Sequence, residues 1–173
     1  MDAVAEDEPA SIEELRRYAA DGRAWVTEIG GRAVAYLIAD RVDGNAHVEQ
    51  VSVHPDHARH GLGRAMLDHL AARSSEQGDP ALTLTTFVEV PWNGPYYLRC
   101  GFRYLGEDEL TPQLLEVRRH EADRGLDRWP RAAMRRELRA AGDPPEPGAL
   151  SRTGAAGGSR AGRGSPAGAT AAE

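Results

Sequence analysis

Lysine is absent from this chain of 173 residues; all 21 cationic side chains are arginine. The protein therefore offers no lysine side chain of its own for acetylation. Cysteine is nearly absent as well. Cys100 stands alone, so no internal disulfide can form. No apolar run reaches the length of a membrane span, which predicts no membrane partner. An excess of positive charge is also lacking: the formal net charge is −6. That argues against nucleic acid as a partner, which selects a basic face. The opening residues, Met1-Asp2-Ala3-Val4-Ala5-Glu6-Asp7-Glu8, are acidic and lack the charged and apolar regions of a secretory signal. A cytoplasmic protein is the expectation. What is present is ordinary: 40% hydrophobic and 28% charged residues, enough for one domain with a sizeable core.

The chain is organised around residues 48–70. Val48, Val51 and Val53 belong to a β-rich run. His54-Pro55-Asp56 opens a polar turn. Gly61 and Gly63 follow, and then Leu62, Met66 and Leu70 at helical spacing. A helix start has unpaired N–H groups and partial positive charge. Glycines without a Cβ let a phosphate oxygen approach those groups, and Arg59 and Arg64 would add charged donors. The stretch reads as a pyrophosphate cradle or, more plainly, as a tight glycine turn. It is no P-loop, since Arg64-Ala65 stand where Lys-Ser/Thr would be needed. It has two glycines, not the three of the dinucleotide fingerprint.

Coarse periodicity supplies the rest. Residues 11–20 predict a helix, with Ser11 and Glu14 as a capping box. Ala24–Ile29 and residues 33–39 predict strands joined by Gly30-Gly31. Asp43-Gly44-Asn45 turns into a central strand over 46–53. A helix over 61–74 crosses to a strand over 81–87, which must then run parallel to the central strand. Residues 94–100 predict a short helix capped by Asn93, and a strand follows from Phe102. Residues 111–124 predict a helix, and 132–138 are only weakly strand-like by composition. The fold class is α/β, with a mixed sheet flanked by helices. The domain of residues 11–138 follows an acidic segment, 1–10. It is followed by residues 139–173, whose Gly, Ala, Pro, Ser and Arg predict a disordered tail.

Ala58-Arg59-His60-Gly61-Leu62-Gly63 resembles the acyl-CoA-binding motif of the Gcn5-related N-acetyltransferase family, with Ala58 at a position usually held by Gln or Arg. Tyr97-Leu98-Arg99-Cys100-Gly101-Phe102, after Asn93, resembles that family's second signature. The two motifs stand in the family's order. The resemblance implies an N-acetyltransferase that moves an acetyl group from acetyl-CoA to a primary amine by direct attack, with the pantetheine arm lying between two splayed parallel strands. It implies a final strand over 132–138, and Tyr97 as acid toward the leaving thiolate. Val51 and Val53 would pair with the pantetheine through their backbones, and the Val53 N–H would serve as oxyanion donor. Arg59, His60, Gly61, Leu62, Gly63, Arg64 and Asn93 would hold the rest of the cofactor.

Glu49 is the candidate general base. Counting along a regular strand puts it on one face with Val51 and Val53, where apolar neighbours would raise its pKa. Glu89 and Trp92 are candidates for the acceptor pocket, although Trp92 also fits a core position. Tyr96 is expected to face the core, and His54 and His57 the solvent. The histidines form no metal set, and Cys100 has no histidine fixed beside it to make it a nucleophile. The acceptor would be a small-molecule or peptide amine, cationic if the acidic balance is a guide. A non-catalytic acyl-CoA-binding module is the alternative, and an unrelated nucleotide-binding domain a more distant one. The family's first strand has no counterpart before residue 11. Its absence, whether from a misassigned start or a shorter sheet, would expose the edge of the first hairpin to a homodimer contact.

Overall fold

A computed structural model describes residues 11–138. The expectations for residues 1–10 and 139–173 lie outside the described residues. The first helix, α1 (Ile12–Ala20), opens on the expected box: the Glu14 N–H donates to the Ser11 hydroxyl, and the Glu14 carboxylate accepts from the Ser11 N–H. Strand β1 (Ala24–Ile29) turns at Gly30-Gly31, both with positive φ, into β2 (Arg32–Val42). Asp43 and Gly44, also with positive φ, turn the chain into β3 (Asn45–Val53), as the hairpin geometry requires. Helix α2 (Leu62–Glu76), β4 (Ala81–Phe87), the short helix α3 (Asn93–Arg99), β5 (Arg103–Tyr104), α4 (Pro112–Asp123) and β6 (Arg131–Glu137) follow.

The six strands form one sheet in the order β1-β2-β3-β4-β6-β5. All neighbours are antiparallel except β3 and β4. β1 and β5 are the edge strands, and Val26 and Ile29 on β1 are exposed. The weak final strand forms in full and pairs on both sides, with β4 and β5. Its neighbour β5 is only two residues long, shorter than the sequence suggests.

One face of the sheet packs on α2: Ala35, Leu37, Ala39, Val48, Leu82 and Leu84 meet Met66, Leu67, Leu70 and Ala71, and Val51, Val53, Tyr96 and Tyr97 pack at the margin. The other face carries α4, where Leu114 and Val117 meet Val42 and Ala133. Helix α4 is capped from a distance. Its N-cap, Thr111, makes no side-chain cap bond. Instead the Asp43 carboxylate accepts from the Gln113 N–H at 3.0 Å, the Leu114 N–H at 3.1 Å and the Thr111 hydroxyl. A carboxylate there satisfies orphan N–H groups and meets the positive end of the helix dipole.

Two features shape the site. The parallel β3–β4 ladder joins only Ala46 to Leu82, His47 to Thr83 and Val48 to Leu84. Beyond that point the strands part, leaving one backbone edge of each unpaired. The second feature lies at the parting point. Ile38 pairs with Gln50 but Ala39 with Val48, so Glu49 is an extra residue, a β-bulge.

Candidate active site

The bulge changes which side chains share a face. Val48, Val51 and Val53 lie opposite Ala39, Leu37 and Ala35, alternate residues of β2, so all three face α2. In a regular strand Val48 and Val51 would point to opposite faces. Glu49 is turned to the α4 face, away from Val51 and Val53. The shared face expected from a period of two is therefore corrected by the register of β3.

On the α2 side, the open V between β3 and β4 leads into a groove of about 350 Å³. Val51, Val53, Arg59, Gly61, Leu62, Gly63, Arg64, Asn93 and Tyr97 all line it. Glycine is required at Gly61, the N-cap of α2, where φ is +77°. The first intrahelical bond runs from the Ala65 N–H to the Gly61 carbonyl. The N–H groups of Leu62, Gly63 and Arg64 thus have no carbonyl within the helix and point out of its positive end. Arg64 is paired with Asp68 at 3.6 Å. Arg59, itself at positive φ, has no ion pair among the described residues. Donors, charge and an unpaired strand edge therefore converge on one groove, which suits a phosphorylated ligand with an amide-containing arm.

Several expected residues are placed differently. His60 is exposed and does not line the groove; His57, half-buried, lines it instead. Asn93 is not the cap of α3. Trp92 takes that position, and Asn93, the first helical residue, makes no cap bond. Trp92 is 60% exposed and lines the groove, so it is not a core residue. Glu89 is exposed beyond β4 and outside the groove. Sequence reasoning missed Arg99 and Tyr96, both lining residues. The Tyr96 hydroxyl reaches over the start of α2, against Gly63. The i, i+3 spacing of Tyr96 and Arg99 on α3 could have flagged a shared face.

Tyr97 is wedged edge-on between the rings of Tyr96, 5.2 Å away, and Phe102, 5.8 Å away. Burial, reinforced by nearby Cys100, pushes its hydroxyl up to about 12. It therefore stays protonated at neutral pH and able to donate.

Across the sheet, the α4 face is polar where the strands part. Glu121 accepts two bonds from Arg131, at 2.8 Å and 3.1 Å, and one from the Thr85 hydroxyl. Arg131 lies over the Phe87 ring at 4.2 Å. Glu49 is partly enclosed, with 34% of its side chain exposed. Burial and then the Glu121 carboxylate push its pKa up, while Arg124, Arg131 and Arg23 pull it down. Arg131 acts electrostatically on Tyr97, His47 and Glu49 alike. Groups from the two faces thus converge at the point where the ladder stops.

Residues 2–102 match the family model described as "Acetyltransferase (GNAT) family". The chain belongs to the GNAT acetyltransferase family. Solved structures share its fold. N-acetylglutamate synthase from Neisseria gonorrhoeae, complexed with coenzyme A and N-acetyl-glutamate, is 18% identical with a TM-score of 0.60, over 75% of this chain and 28% of that one. Rv2747 from Mycobacterium tuberculosis, in complex with CoA, is 17% identical with a TM-score of 0.58, over 75% and 83%. The ribosomal-protein-S18-alanine N-acetyltransferase from Escherichia coli is 20% identical with a TM-score of 0.52, over 79% and 95%. This GNAT chain thus spans under a third of the Neisseria protein but nearly all of the Escherichia one. No helix among its described residues is long and apolar enough to cross a membrane. Among those residues there is also no cluster of His, Cys, Asp and Glu able to hold a metal.

Proposed function

We propose that the protein is an N-acetyltransferase that joins the acetyl group of acetyl-CoA to a primary amine in a ternary complex. The observation that carries this reading is the early end of the β3–β4 ladder, at Val48 and Leu84, directly beside the bulge at Glu49. It leaves an opening with a donor-rich helix start on one face and carboxylates on the other. When bound, the co-substrate supplies a thioester already activated toward a nucleophile.

The chain's own groups fit that task. The N–H groups at the start of α2, with Arg59 and Arg64, hold the diphosphate. The unpaired edge of β3 from Val51 to Val53 pairs with the pantetheine amides as another strand would, and the Val53 N–H stabilises the oxyanion. Tyr97, on the groove side, donates a proton to the departing sulfur. Glu49, on the opposite face, takes the proton from an incoming ammonium, and its raised pKa makes it a stronger base than an ordinary carboxylate. Acid and base thus act from opposite faces, so the amine need not share the groove with the cofactor. Glu49, which makes no arginine ion pair among the described residues while Glu121 is bound to Arg131, favours a cationic amine.

The test is thiol release from acetyl-CoA across a panel of amines, with products identified by mass spectrometry. Glu49→Gln and Tyr97→Phe should each slow turnover while leaving coenzyme A binding intact. Tight binding of coenzyme A with no turnover on any amine would replace this reading with that of an acyl-CoA-binding module. Failure to bind coenzyme A at all would remove both.

A further inference from the structure

His47 has no part in the chemistry above, yet it is the least exposed of the buried polar side chains among the described residues. It is on β3 at the second rung of the short parallel ladder, two residues before the bulge. It is 1% exposed, one of the largest fully buried side chains. Its Nδ1 lies 2.8 Å from the Thr83 hydroxyl on β4, and its Nε2 lies 3.9 Å from the Glu49 carboxylate. The ring therefore bridges the last paired stretch of the two strands and the first residue that breaks away from it.

A neutral imidazole carries one N–H and one lone pair, and the bond made at one nitrogen decides what the other presents. The buried ring stays neutral: desolvation, with Arg131 nearby, pushes it down to about 4. If Nδ1 carried the proton, the Nε2 lone pair would face an ionised carboxylate and repel it. If the Thr83 hydroxyl donates to Nδ1 instead, the N–H is on Nε2 and faces Glu49 favourably. The Thr83 hydroxyl can rotate to serve either arrangement, so the charge on Glu49 selects the second.

We infer that His47 is a positioning residue: held by Thr83 with its proton on Nε2, it presents that N–H to Glu49 and orients the carboxylate toward the opening between β3 and β4. At 3.9 Å the contact is an ion–dipole attraction, longer than a hydrogen bond. Four other groups act on Glu49 through their charge. Glu121, on α4, repels it. Arg124 at the end of α4, Arg131 on β6 and Arg23 before β1 attract it. Of these, Arg131 is bound to Glu121, and Arg23 to Asp21 and Asp40. Tyr18 on α1 donates to Asp40 at 2.7 Å. His47 is the contact built into the same strand as Glu49, and it moves with it. The inference rests on the reading of Glu49 as base only for its catalytic meaning.

Two measurements test it on the intact protein. Nitrogen-15 NMR of the ring should show the Nε2–H tautomer across neutral pH; an Nδ1–H tautomer would overturn the inference. Carbon-13 NMR of the Glu49 carboxyl should show its pKa rising in His47→Phe by roughly half a unit or more, with the acid limb of the kcat/KM profile moving by the same amount. Thr83→Val, nearly isosteric, removes the contact that fixes the ring beside Glu49 and should move Glu49 in the same direction even if His47→Phe folds poorly. An unmoved Glu49 titration in Thr83→Val would overturn the inference. If Glu49 moves as expected while Glu49→Gln leaves turnover unchanged, His47 still orients Glu49 and only the base assignment fails.

Discussion

The Tyr96 hydroxyl lies 2.6 Å from where a Cβ on Gly63 would stand. Nothing else crowds the position: Val53 and the rest of the tyrosine ring are at 3.6 Å or beyond. Gly63→Ala should therefore push Tyr96 aside into the groove. The expected cost is about 1–2 kcal/mol of stability, with weaker coenzyme A binding. Tyr96→Phe alone should be mild, and the double variant should recover most of the loss. Calorimetric titration and urea melts on all four proteins form the cycle. Additive losses would mean that the hydroxyl is not the obstacle.

Tyr97→Phe should lower kcat by about 10²-fold with little change in coenzyme A affinity, because the ring still packs between Tyr96 and Phe102. The buried hydroxyl also has a signature in stability. Its folded pKa, raised to about 12, exceeds that of an unfolded tyrosine, about 10. Its contribution is therefore complete below pH 10 and lost as pH rises toward 12. Urea melts between pH 9 and 11 should show a shallower loss in Tyr97→Phe than in the parent.

His47 works in the opposite sense. Its folded pKa is depressed from 6.5 to about 4, so the unfolded chain binds the proton first. Stability is complete above about 6.5 and is lost as pH falls toward 4, by an amount on the order of 3 kcal/mol for a fully buried ring. In His47→Phe this acid slope should flatten. An unchanged slope would assign acid loss to the carboxylates alone.

Arg131 and Glu121 form the best-enclosed ion pair of the α4 face, 10% and 15% exposed. Arg131→Met should cost up to about 3 kcal/mol, because Glu121 loses its closest cationic partner and keeps only the Thr85 hydroxyl and Arg118 at 3.9 Å. It should also raise the pKa of Glu49, which Arg131 now pulls down. The double variant Arg131→Met/Glu121→Leu should regain stability. A double variant no more stable than the single would show that the pair is not the source of the loss.

The local parts of this fold are legible in the chain, and the reason is proximity. The Ser11–Glu14 box, the Gly30-Gly31 and Asp43-Gly44 turns and the glycine start of α2 each depend on residues within four positions of one another. The two family motifs are equally local, and both border the groove. What escaped sequence reading depends on partners far along the chain. The bulge at Glu49 is visible only against the register of β2, so counting by twos put its side chain on the wrong face. Whether His57 or His60 borders the groove depends on the path of a turn that has no periodicity. The approach of Tyr96 to Gly63 joins residues 33 apart.

The cap that Asp43 places on α4 has a reach beyond its own hairpin. Asp43 is at the end of β3 remote from the diverging strands, yet it pins the helix whose later turns carry Glu121. An aspartate in a β-turn thus anchors the start of the helix that carries one of the two carboxylates at the far end of the sheet. Exchanging it for alanine would leave every residue that touches a substrate unaltered and still blur the electrostatic environment in which an amine would give up its proton.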